Sequence, residues 1–167
     1  MVYISISSFI KYSLISAVAV FDNSASPGLG GVVHLVEISN KLTKIYGYIS
    51  GLSPGKHGFH IHKNGDLSEG CKTMCEHYNP FNLNHGGPNS TIRHVGDLGN
   101  VVADANGIAR FVILDKSIKL RQPHSVIGRS FVIHKDKDDL GLGTGNSLIT
   151  GNSGSRLGCA IIGIASE

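Results

Sequence analysis

His60 and His62 stand one residue apart in the run Gly58-Phe-His-Ile-His62. In an extended chain, side chains two apart share a face, so both imidazoles can reach one ion. An H-x-H pair alone is a weak sign, but more ligating residues follow. His77, His85, His94 and Asp97 come next, and His134 lies far downstream. Neutral imidazole suits copper and zinc alike, and a carboxylate can complete a tetrahedral zinc site. The H-x-H pair with His134 makes a three-nitrogen set, and three histidines with Asp97 make a four-ligand set. If one histidine serves both, the spacing suggests one copper-like and one zinc-like site.

The three cysteines, Cys71, Cys75 and Cys159, are too few for a disulfide scaffold and too irregular for a cysteine-only zinc site. Two could pair, leaving one over.

The elements that must hold these residues have a period of two. Short runs rich in Val, Ile and Phe occur at 17–21, 31–38, 44–49, 58–62, 100–103, 109–114, 130–134 and 160–165. Turn signals such as Ser26-Pro-Gly28, Ser53-Pro-Gly55 and Asp104-Ala-Asn-Gly107 separate most of them. About eight strands at this spacing predict an all-β antiparallel sandwich or flattened barrel. Two stretches, 63–96 and 135–155, break the pattern. Loops that long inside a compact domain are usually functional or disordered, and the first holds three of the histidines and two of the cysteines.

The chain has 167 residues, 22 glycines, nine histidines and a net charge of +3. That length predicts one domain. Lys and Arg are scattered and no nucleic-acid motif is present, so no nucleic-acid partner is expected. No apolar run approaches ~20 residues, so no membrane partner is expected. Residues 1–14 lack the early positive charge of a secretory signal, and Lys11 interrupts their apolar run. They read as an N-terminal extension, with 15–167 as the single domain. The expected location is the cytoplasm, of a host cell if the protein is viral, rather than secretion.

The run His57-Gly-Phe-His-Ile-His62, followed by Gly65-Asp66, resembles the copper signature of the copper/zinc superoxide dismutases. His85-Gly-Gly-Pro88, Arg93-His-Val-Gly-Asp-Leu-Gly-Asn100, Gly128-Arg129, His134 and Gly151-Asn-Ser-Gly-Ser-Arg-Leu-Gly-Cys159 resemble the same family, in order, from about Ala17 onward. The resemblance implies an eight-stranded antiparallel Greek-key barrel with two long functional loops. It implies one copper per chain on His60, His62, His77 and His134. It also implies one zinc per chain on His77, His85, His94 and Asp97, with His77 as the bridging imidazolate. Cys71 and Cys159 match the family's intrasubunit disulfide, and Cys75 is then a free thiol. Arg156 matches the arginine that guides the anion. Asp138 matches a carboxylate joining copper and zinc ligands, His57 a brace for the copper-ligand strand, and Arg129 an anchor for the disulfide loop.

The implied activity is dismutation of superoxide to dioxygen and hydrogen peroxide by an oxidoreductase. A non-catalytic copper/zinc-binding or copper-delivery domain on the same fold is the alternative, and a metal-free binding sandwich a third. Relatives of the second kind lose a copper ligand or the arginine, and this chain keeps them all. One departure concerns the second loop, where 143–150 lacks the acidic pair and lysine usual in the family. Steering of the anion is then expected to shift to Lys135 and Lys137. A homodimer is expected through an apolar patch including Ile161 and Ile164, although Asn64 replaces a common aromatic residue.

Overall fold

The protein is described by a computed structural model covering residues 14–166. The expected extension at 1–14 lies, except for exposed Leu14, outside the described residues. The strands are β1 (Ile15–Phe21), β2 (Gly30–Ser39), β3 (Leu42–Ser50), β4 (Gly55–His62), β5 (Ser68–Cys71), β6 (Asp97–Ala103), β7 (Ile108–Asp115), β8 (Ser130–His134), β9 (Arg156–Ile161) and β10 (Gly163–Ile164). All but β5 form one antiparallel sheet in the order β10-β1-β2-β3-β7-β6-β4-β8-β9. Its two ends, β9 and β10, are separated in sequence by Ile162 alone, so the sheet curls into a nearly closed barrel. The all-β Greek-key expectation holds.

Two details differ from the sequence expectation. The run 160–165 is divided at Ile162, because β9 pairs with β8 while β10 pairs with β1. Residues 68–71 form the short β5, which has no apolar alternation to reveal it. A one-turn 3₁₀ segment (Lys72–Met74) and a one-turn helix α1 (Ser147–Thr150) also interrupt the two long loops.

Alternation explains the core. Ala17, Ala19 and Phe21 of β1, Val33 and Leu35 of β2, and Ile45 and Ile49 of β3 are all buried, while their neighbours face outward. Burial of their apolar area supplies the main driving force for closing the barrel. In β4 the alternation is hidden, because all six residues from His57 to His62 are buried. Phe59 and Ile61 point inward, and Phe59 stacks on Phe131 with ring centroids 4.9 Å apart. His60 and His62 take the other face, which the two long loops cover.

Candidate metal centre

β4 presents His60 and His62, and the first long loop folds back along it. Tyr78 N–H donates to the Ile61 carbonyl at 2.8 Å, and Lys63 N–H donates to the Glu76 carbonyl at 2.9 Å. His77 forms an isolated antiparallel bridge with His62 and so comes beside it. β8 pairs with β4, and an irregularity between Ile133 and His134 in the pairing with β9 turns the end of β8 toward the same place. Asp97 opens β6 directly opposite His60.

The ligating atoms of His60, His62, His77 and His134 lie within 4.8 Å of one another, as do those of His77, His85, His94 and Asp97. His77 belongs to both groups. Its Nδ1 is 2.8 Å from Asp97 Oδ1, while its Nε2 is buried without a hydrogen-bond partner. His60 Nδ1 is likewise buried and unpartnered. His85 Nδ1 lies 3.0 Å from Asp97 Oδ2 but lacks hydrogen-bond geometry. His62 Nε2 and His134 Nε2 face each other at 3.3 Å. Buried polar atoms normally find partners, so convergent lone pairs of this kind fit bound cations.

The outward ring nitrogens are held in place. Asp138 is fully buried and accepts from His60 Nε2 and His85 Nε2, each at 2.9 Å, so it joins the two groups. His62 Nδ1 donates to the Cys75 carbonyl at 2.7 Å. The His57 ring spans the His134 and Ser53 carbonyls, 2.8 Å from each. Such contacts fix the tautomer and aim of a ligating ring.

In the metal-free chain, burial pushes His60 and His62 well below the usual histidine range and also lowers His77. Burial holds His134 down at about 4. These rings therefore offer free lone pairs at neutral pH. Burial also works against charge on His85, but the Asp138 and Asp97 carboxylates outweigh it and raise His85 to about 9. Burial would raise Asp97, yet contacts with His77, His85 and His94 keep it far below the usual carboxylate range.

Beside these rings is a recess of about 350 Å³ lined by His62, Glu76, His77, His134, Asn146, Thr150, Asn152, Gly154 and Arg156. Arg156 donates to the Cys71 carbonyl at 2.6 Å and to the Lys72 carbonyl at 3.1 Å, and also to that of Cys75. These carbonyls aim the side chain and leave its positive charge unneutralised. Cys71 and Cys159 form a disulfide, and Cys75 is a free, half-buried thiol. Arg129 lies 3.6 Å over the Tyr78 ring and donates to the Lys63 carbonyl at 2.7 Å.

A profile of the family described as Copper/zinc superoxide dismutase (SODC) matches residues 29–162. The chain belongs to that family. It is 54% identical over 154 residues to the extracellular superoxide dismutase [Cu-Zn] of Onchocerca volvulus, covering 89% of this chain and 76% of that one. It is also 54% identical over 155 residues to the superoxide dismutase [Cu-Zn] of Paramecium bursaria Chlorella virus 1, covering 92% and 80%. A solved structure titled as the clock protein EA4 superposes with a TM-score of 0.85 at 42% identity, covering 90% of this chain and 94% of that chain. As a family member the protein is an oxidoreductase that dismutes superoxide, with one copper and one zinc per chain.

The cytoplasmic expectation is corrected by the relatives. The Onchocerca protein and one from Brugia pahangi, 47% identical over 154 residues with 90% of this chain and 76% of that one covered, are both named extracellular. Absence of an obvious signal pattern in the first residues was too weak a basis for the expectation, because location is not a property of the folded domain.

Sequence reasoning did not single out Glu76, which stands in the wall of the recess. Lys135 and Lys137, expected to take over steering, are exposed and do not line it.

Proposed function

We propose that this chain dismutes superoxide at a copper held by His60, His62, His77 and His134, beside a zinc held by His77, His85, His94 and Asp97. The observation that carries the assignment is His77, whose Nδ1 faces Asp97 while its buried Nε2 faces the other histidines. Copper, when bound, supplies the alternation between two oxidation states, and zinc supplies a fixed positive charge that zinc's filled d shell leaves redox-inert.

The chain's own groups do the rest. The guanidinium of Arg156 receives the anion in the recess through a forked, permanently cationic donor set. His77 Nε2 is the atom at which a proton is held and released toward reduced dioxygen, with a second proton from solvent completing hydrogen peroxide. Asp97 keeps that ring in register through Nδ1, and Asp138 keeps His60 and His85 aimed. His57 braces His134, and Arg129 ties the start of the first loop to the barrel.

Residues 15–167 form the domain that carries this activity, preceded by an extension at 1–14. It works as a homodimer, supported by Ile161 and Ile164, which are 38% and 69% exposed near the end of the chain. Metal content and a superoxide assay on the purified chain test the central reading. Stoichiometric copper and zinc with activity support it, and a copper-loaded, inactive protein refutes it. Sedimentation at micromolar concentration tests the dimer, which a single species near 17.7 kDa would exclude.

A further inference from the structure

One acidic and one basic side chain, Glu76 and Arg156, stand among the described residues lining the recess. The other polar members of the rim, Asn146, Thr150 and Asn152, carry no charge. Glu76 is exposed, and its backbone carbonyl is pinned by the N–H of Lys63, immediately before His77. Its carboxylate has no hydrogen bond or ion pair with the described residues. Arg156 spends its donors on backbone carbonyls, which leave its charge intact. The two charges therefore face the substrate path unpaired, one attracting an anion and the other repelling it.

We infer that Glu76 is a specificity-determining residue of the entrance, a carboxylate that opposes Arg156 and lowers the rate at which small anions reach the metal centre. The inference rests on the proposed role of Arg156. A unit charge about 8 Å from the path of another in water changes local anion concentration by about two-fold. That effect fades as salt shortens the screening length from about 30 Å at 0.01 M to about 3 Å at 1 M.

The test compares the copper- and zinc-loaded protein with Glu76→Gln, Glu76→Lys and Arg156→Gln variants of matched metal content. Superoxide kcat/KM is measured across ionic strength, and azide affinity is read independently from the absorption of its copper(II) complex. Glu76→Gln is expected to raise both quantities about two-fold at 0.01 M salt, and Glu76→Lys about two-fold again, with all three converging near 1 M. No change at low salt overturns the inference. A change that persists undiminished at 1 M also overturns it, since shape rather than charge would then be responsible. Arg156→Gln is expected to weaken azide binding. If it does not, the role of Arg156 itself falls, a result distinct from a null at Glu76.

Discussion

Replacing Asp138 by Asn separates hydrogen bonding from shape. The carboxylate accepts from His60 Nε2 and His85 Nε2 at 2.9 Å each, and from Leu140 N–H at 2.7 Å, in a fully buried position. An amide of the same size has one acceptor oxygen, so its NH₂ group must face one of the ring N–H donors. One histidine from each metal group then competes for a single acceptor. Loss of such an outer contact typically weakens metal binding by about 10–100-fold, or roughly 1.4–2.7 kcal/mol. Because the two rings belong to different groups, copper and zinc affinities should both fall although Asp138 belongs to neither four-residue set. Chelator competition, run separately for each metal, gives the two affinities. Asp136→Asn, on an exposed neighbour, controls for loss of one charge. Unchanged affinities in Asp138→Asn, or an equal loss in Asp136→Asn, would refute the reasoning.

Gly151 has φ +64°, and a Cβ added there would lie 2.0 Å from Asp138 Oδ1 and 2.5 Å from His85 Nε2. Gly151→Ala should therefore weaken zinc binding as well as costing roughly 1–3 kcal/mol of backbone strain, read by chelator competition and thermal melting. Removing the disulfide with Cys71→Ser and Cys159→Ser opens a sequence separation of 88 residues. A loop of that size should cost roughly 4–5 kcal/mol in denaturant melts of the metal-free protein, and an unshifted midpoint would contradict this. The metal-free fold should also lose stability as pH drops below about 6.5, because the unfolded chain then protonates histidines that burial keeps neutral in the fold. With His134 held at about 4, that residue alone contributes roughly 3 kcal/mol of loss by pH 4, measurable in denaturant midpoints at a series of pH values.

The H-x-H pair was legible because a strand's period of two needs no tertiary information to place His60 beside His62. The later ligands were legible as residue types and their spacing suggested two sets, but which histidine serves both was not legible from spacing, since it depends on the loop returning along β4 to set His77 against His62. Asp138 stands in the run Lys135-Asp-Lys-Asp-Asp139, which by composition alone is a solvated charge cluster. Family resemblance marked it, and the structure shows why it differs from exposed Asp136. Glu76 carried no signal, because a lone Glu next to a histidine says nothing about which wall it will join. The barrel strands announced themselves by alternation. The four residues of β5 are too few and too polar to do so.

The disulfide also reaches the substrate-facing arginine. Arg156 opens β9, three residues before Cys159, and donates to the carbonyl of Cys71, the other half of the bridge. Cutting the bridge frees the segment that aims the guanidinium, while all seven residues of the two metal groups keep their side chains intact. Thiol chemistry in the surroundings would thus reach capture of the anion, making an ostensibly architectural bond a governor of turnover.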